Sequence, residues 1–534
     1  MVTELETPID IMDAAPVVRT VSVADLDGLA EEVAAYHAYF APLFARSEQR
    51  AWAEAYLRGL LVADVPRKNV EAMALRLYGA GSQAGRTVRA LQQFIGAGSW
   101  DDDTILAAHQ RLVDQTLGED DGVLIVDGSD IPKRGDHSAG AARQWCGATG
   151  KPDVCQAGVF LGYASRTGYT LLDRRLYLPR PWFAADHRAR WRACAIPAAV
   201  PFRRKADLAV AMVEALMRER RVRARWLACD EWYGRDVGFR DRIAATGLWY
   251  LAEVPRDTIV WLRDDPATGS ARPYPRDWVP PRRGSGPGRL PRKRRLHPES
   301  PPPVRVDVAM GHLPAARWQR YRLLEGSKGP LVIAVAALRV VTARDGLPAT
   351  DGWLLVRRPV GEGEELDPAT YKYYLSNAPT DTPLVELVRV LGMRWPIESC
   401  FEEGKGELGL DHYEVRTWRG WHHHMTLVLL AHHFLVRVQQ RLNQREGGLQ
   451  PAAAPLPRQR QRHPGAHAGP RTPQCRPDPV PPARCLTPAR HRCGGRRRLD
   501  RLPATAQSGG LPLTPQEALA PPRQALTAEV SLSY

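Results

Sequence analysis

At Val123 the hydrophobic pattern changes from helical to strand-like, and no other feature narrows the fold as much. VLIVDGSDIPKRG is a short, continuously apolar run of β-branched type that ends on Asp127 and enters a Gly/Ser turn and a proline. A carboxylate at the end of a buried strand is held rigidly at the sheet's edge, where ligands and metals bind. Asp130, three residues on, is the rival for that place. Two further strand-like runs, CQAGVFLGYAS and YTLLDRRLYLP, joined by turn residues Arg166 to Gly168, predict an antiparallel hairpin. A helix is expected around Leu208 to Arg220, and the next strand, ARWLACDEWYG, again ends in an acid, Asp230, with Glu231 beside it. LWYLAEVP, from Leu248, reads as one more strand.

The third acidic feature is RWPIESCFEEGKGELGLDHYEVRTWRGWHHHMTLVLL, from Arg394. On a helix Arg394, Glu398, Glu402 and Lys405 fall at spacings of four, four and three and share one face. A packing helix would place apolar residues there. An isolated pattern of this kind is normally a solvated face laced with ion pairs. The two strand-terminal aspartates upstream give it a second meaning, as a carboxylate flanked by cations.

Around these blocks the chain divides by composition. Residues 1–25 are expected to be flexible, and residues 26–118 carry apolar spacings of three and four that predict a helical domain. Arg67, Lys68, Arg86 and Arg89 offer that domain a cationic surface suited to DNA. Residues 256–350 read as an insertion of strands and a Gly/Pro/Arg-rich loop, in which the run from Arg289 to Arg295 suits phosphate contact. The last 89 residues hold 16 of the 46 prolines and lack Lys, Asn, Ile, Phe, Met and Trp, so residues 446–534 cannot build a core and are expected to be disordered. Pro, Arg, Ala and Gly are also what GC-rich DNA encodes in a wrong frame. A frame change near residue 445 is therefore a hypothesis, and an early stop in the shifted frame of the gene would refute it.

Charge identifies the partner class. Lys plus Arg number 74 against 59 Asp plus Glu, a net charge of +15, which draws the molecule to polyanions, with nucleic acid foremost. No apolar run approaches the roughly 20 residues that span a bilayer, and the acidic amino terminus lacks the layout of a secretion signal, so a cytoplasmic protein without membrane contact is expected. Eight cysteines without a C-x-x-C pair suit neither a zinc knuckle nor a disulfide framework and read as buried thiols. Consecutive histidines at 422–424 point in different directions around a helix, which favours structural or phosphate-contact roles over a metal cluster. Trp395, Trp418 and Trp421 read as core or interface residues.

The order of these blocks resembles the ribonuclease H-like catalytic domain of DDE transposases. Arg394, Glu398 and Lys405 match the R-x3-E-x6-K part of the signature of the insertion-sequence-four group, although the Tyr expected three residues before the Arg is Leu391. VDGSDIPKRG with HSAGAARQWCGATGK, then ACDEWYG, then the Arg394 stretch are similar to the three blocks of the DDE superfamily endonuclease branch, of insertion-sequence-seven-hundred-and-one type. The resemblance implies an α/β fold with a ribonuclease H-like mixed sheet, formed by residues 119–255 and 351–445 and interrupted by the insertion. It implies Asp127, Asp230 and Glu398 as the catalytic ligands of two Mg²⁺ ions, for which Mn²⁺ substitutes. It further implies DNA contacts by Arg394, Lys405, Lys133 and Arg143. The substrate would be double-stranded DNA at the inverted ends of a mobile element, cut and joined by a homo-oligomer. A nuclease that cuts without joining and an inactive DNA-binding remnant are the alternatives.

Overall fold

The computed structural model describes residues 8–11, 28–279, 293–311, 313–326, 329–360 and 368–446. The proline-rich tail, the proposed frame change and most of the basic loop lie outside them. Within the stretch expected to be flexible, β1 (Ile9–Asp10) is a short strand. The helical periodicity then becomes α1 (Leu29–Phe40), α2 (Ser47–Leu61), α3 (Val70–Tyr78), α4 (Ala84–Ala97) and α5 (Asp102–Leu117). Side-chain caps set two of the starts. Asn69 accepts from the Ala72 N–H at 2.9 Å, and Asp101 accepts from Asp103 and Thr104 ahead of an acidic first turn that suits the helix dipole.

The sheet opens with β2 (Val123–Pro132), followed by β3 (Ala142–Cys146), β4 (Lys151–Ser165) and β5 (Gly168–Tyr177). The predicted hairpin is β4–β5, with Ser165 opposite Gly168 across a two-residue turn. After α6 (Arg188–Ala193), the predicted helix is α7 (Lys205–Arg218). Next come β6 (Trp226–Cys229), α8 (Glu231–Gly234), α9 (Val237–Ala245) and β7 (Trp249–Val254). β2 runs antiparallel to β4 but parallel to β6, and β6 parallel to β7. The order β5-β4-β2-β6-β7, mixed in direction, is compatible with the ribonuclease H-like fold that the resemblance implies.

The segment read as an insertion contributes β8 (Ile259–Leu262), β9 (Asp277–Trp278), β10 (Arg295–Leu296), β11 (Val304–Arg305), α10 (Val306–Gly311), β12 (Gln319–Gly326), β13 (Gly329–Arg344) and β14 (Leu347–Pro359). β15 (Lys372–Ser376) pairs with both β14 and β7, so β12–β14 extend the same sheet edge to edge. β1 adds to its far side, parallel to β12. The chain ends its described part with α11 (Leu384–Gly392), α12 (Pro396–Gly406) and the 29-residue α13 (Trp418–Glu446).

Two apolar layers cover the sheet, and β2 divides its side chains between them. Val123 and Ile125 pack with the amino-terminal helices, α12 and α13. Leu124 and Val126 pack with α7 and α9. A strand's side chains alternate faces, so cover on both faces requires the continuous apolar run seen at Val123. The strand does not stop at Asp127 as expected. It continues to Pro132 against β4, and only the pairing with β6 ends there.

Histidines fasten α13 to its neighbours. His423 lies 3.1 Å from the Ile95 carbonyl and 3.2 Å from that of Trp100. His424 donates to the Gly409 carbonyl at 3.2 Å and accepts from the Tyr56 hydroxyl at 2.8 Å. His433 meets Tyr36 of α1 at 3.1 Å and Thr116 of α5 at 2.9 Å. These rings are enclosed and engaged one by one, in keeping with the structural role expected for them. Trp421 is core, Trp418 packs against it, and Trp395 is half exposed. Cys146, Cys155, Cys194, Cys229 and Cys400 are buried free thiols.

Candidate active site

The last parallel pairs across the centre of the sheet are Val126 with Cys229 and Cys229 with Ala252. One residue further along these strands stand Asp127, Asp230 and Glu253. Alternation turns their positions toward the layer of Ile125, Ala228 and Leu251, the layer that holds α12. The sheet therefore gathers three acids where its parallel ladder opens.

Local geometry fixes each of them. Asp127 accepts from the Gly128 N–H at 2.6 Å. Asp230 caps α8, accepting from the Tyr233 N–H at 3.1 Å. Gly234 is required behind it, because a β-carbon there would lie 1.9 Å from the Glu253 carbonyl oxygen. Glu253 is buried and held by Lys372 at 2.7 Å, with the Tyr374 hydroxyl at 3.4 Å. Sequence reasoning missed Glu253; the signal was an acid inside the apolar strand LWYLAEVP. It also passed over Tyr233, whose buried hydroxyl has no hydrogen-bond partner among the described residues and which feels the charges of both aspartates.

Burial pushes the Asp127 carboxyl up to about 7, helped by the charge of Asp230 and less by that of Glu398, while the Gly128 N–H and Arg394 oppose the shift. Burial likewise raises Asp230, with Glu253 adding to it and the Tyr233 N–H and Arg394 pulling back. Burial and the charge of Asp230 together disfavour the ionised form of Asp127, a penalty that a bound cation would relieve.

Glu398 enters from α12. Proline occupies the first turn of that helix, where its missing N–H costs nothing. Arg394 therefore sits in the turn before the helix rather than within it, yet keeps the i, i+4 contact, its guanidinium 2.7 Å from Glu398. Burial works against the Arg394 charge, but Glu398, Tyr374, Asp127 and Glu253 hold it up. Lys405 lies two turns beyond Glu398 on the same flank of the helix.

The other expected contacts and rivals have surroundings of their own. The Lys133 ammonium sits 3.6 Å over the Tyr413 ring, and burial lowers it to about 8. Arg143 is exposed on β3, two residues from the exposed Trp145 on the same face of the strand. Lys68, expected on a cationic surface, is instead buried with its ammonium on the Val62 carbonyl. Asp130 is occupied by the Gly147 N–H at 2.8 Å and by Lys205 at 3.8 Å. Glu231 pairs with Arg235, and Glu402 is exposed.

The donor chemistry of Asp127, Asp230 and Glu398 fits a hard divalent cation, since all are carboxylate oxygens and the two aspartates repel each other. Among the described residues no three acids, histidines or cysteines stand close enough to enclose an ion as they are placed. Arg394 holds Glu398 by one oxygen at 2.7 Å.

The family model described as DDE superfamily endonuclease matches residues 39–330, more than half of the chain. The chain belongs to the DDE superfamily endonucleases. The match contains Asp127 and Asp230 and ends before Glu398. A search of curated proteins returns no match. DDE endonucleases act on DNA and generally use divalent metal ions. Among the described residues no helix is long and apolar enough to cross a membrane.

Proposed function

We propose that this DDE endonuclease is a transposase of the insertion-sequence-four-like group, cleaving and joining DNA at the ends of an insertion sequence. The observation that carries the reading is the meeting of Asp127 and Asp230 at the opening of the parallel ladder, in the layer that bears Glu398. Two magnesium ions held by these carboxylates would activate a water or a 3′-hydroxyl and stabilise the leaving oxygen at phosphorus. Arg394 neutralises Glu398 in the free protein and offers the remaining guanidinium hydrogens to an arriving phosphate. Lys405, further along the helix, extends that cationic track. Glu253, tied to Lys372, stays behind Asp230 and adds to its negative field. The exposed Arg86 and Arg89 of α4, a helix without an acid, supply phosphate contact away from the carboxylates.

A strand-transfer assay with labelled element ends and Mg²⁺ tests the reading. Joined products support a transposase, cleavage alone a nuclease, and shifted but uncut DNA an inactive remnant. Asp127→Ala, Asp230→Ala and Glu398→Ala should each abolish cleavage with DNA binding retained, and activity surviving in any one removes that residue from the ligand set.

A further inference from the structure

The Glu398 helix also carries Glu403, which points away from the site and is engaged through both of its carboxylate oxygens. Glu403 follows Glu398 by five residues, about 140° around the helix, so the two carboxylates stand on opposed flanks. Glu403 accepts from the Tyr169 hydroxyl at 2.6 Å through one oxygen. Its other oxygen lies 2.8 Å from His432 Nε2, and since a carboxylate only accepts, that nitrogen carries the hydrogen. His432 Nδ1 is closed by Thr170 Oγ1 at 3.0 Å. The imidazole is 1% exposed.

We propose that Glu403, clamped by Tyr169 and His432, is a positioning residue that sets the rotation of α12 and thereby aims Glu398 at the two aspartates. The proposal rests on Glu398 being the third metal-binding carboxylate. Apolar contacts seat one face of this helix on the sheet. Phe401 meets Phe160 edge-on at 5.2 Å, and Ile397 lies over Gly162, where a β-carbon would come within 3.2 Å of it. These contacts hold the helix against the sheet, while the hydrophobic force behind them is itself not directional. The two hydrogen bonds to a carboxylate are. Their anchors also share the frame of the site. Tyr169 and Thr170 pair with Ala164 and Tyr163 of β4, and β4 pairs with the strand of Asp127. One sheet thus carries both the aspartates and the clamp that orients the third acid.

The test measures Mn²⁺ affinity of the full chain by electron paramagnetic resonance, beside cleavage rate as a function of Mg²⁺ and the melting temperature in chelator. Glu403→Ala and His432→Gln should weaken Mn²⁺ binding about tenfold or more, as loss of outer-shell support to metal ligands does. The maximal rate at saturating Mg²⁺ should change little. Glu403→Gln should recover part of the affinity. Tyr169→Phe, which removes one hydroxyl, should move it in the same direction and keeps the test open if the His432 variant does not fold. Unchanged Mn²⁺ affinity in folded Glu403→Ala and Tyr169→Phe proteins overturns the proposal. So does a loss that follows the melting temperature and that Glu403→Gln does not relieve. If Mn²⁺ binding survives Glu398→Ala in the parent, the ligand assignment itself has failed, a separate outcome.

Discussion

Lowering the pH from 7.5 to 5 should destabilise the fold through its buried histidines, chiefly His109 of α5 and His424 of α13. Burial pushes His109 down to about 4 and His424 down to about 3, and both rings are fully enclosed. His109 donates to the Leu171 carbonyl at 2.8 Å, and among the described residues its other nitrogen has no partner to receive a new proton. In the unfolded chain each ring titrates near 6.5. With the folded value below the unfolded one, the unfolded state takes up protons first. Stability is therefore intact above 6.5 and falls as the pH drops toward the folded values. At about 1.4 kcal/mol per unit over roughly 1.5 units, each ring costs about 2 kcal/mol at pH 5, and the two together about 4 kcal/mol. His422 and His433, also driven well down by burial, act in the same direction. The Asp127 carboxyl, raised to about 7 in the folded protein, returns about 2.5 kcal/mol over the same range, so the net loss is smaller than the histidine sum, measured against the roughly 5–15 kcal/mol by which domains are stable. Urea midpoints followed by tryptophan fluorescence and circular dichroism at pH 7.5, 6 and 5 measure it. His424→Gln should cost about 1–2 kcal/mol at pH 7.5, from its bonds to Tyr56 and Gly409, and recover about 2 kcal/mol of the acid loss. An unchanged acid slope in His424→Gln refutes the reasoning.

Asp127→Asn should raise the melting temperature in metal-free buffer. Its folded value of about 7 lies above the unfolded 3.8, so the wild-type cost grows as pH rises between them and levels off above 7. A variant no more stable than the parent at pH 8 contradicts that burial cost. Gly234→Ala should destabilise by about 3 kcal/mol or more, because the new methyl meets the backbone of Glu253 rather than a movable side chain; a melting curve like that of the parent would refute it. Arg86→Ala and Arg89→Ala should each weaken duplex binding evenly across sequences and lower the slope of log affinity against log salt by about 1. An unchanged slope in filter-binding titrations removes α4 from the DNA surface.

Much of the centre could be read in advance. VLIVDG and WLACDE were recognisable as buried strands because cover on both faces demands unbroken apolar runs, and the acids that end their apolar stretch stood out. The end of β2 was misjudged because its outer half pairs with β4 alone, and half-covered strand residues mimic a turn in a sequence rich in Gly, Ser and Asp. Lys68 looked like a surface cation because its type is nearly always solvated, and only the packed fold shows its amine turned inward.

Residue order alone determined the kinds of groups present: two aspartates closing buried strands, an Arg-Glu-Lys spacing that winds onto one flank of a helix, and a charge balance that seeks polyanions. Those follow from local periodicity and chemistry, which act over a few residues. The tertiary structure decided which groups meet. The parallel register of three strands sets Asp127, Asp230 and Glu253 in line, Arg394 reaches Glu398 from a turn ahead of the helix, and Glu403 is gripped by residues over 230 and 29 positions away in the chain. Contacts between residues so far apart depend on register and packing, and no local pattern records them.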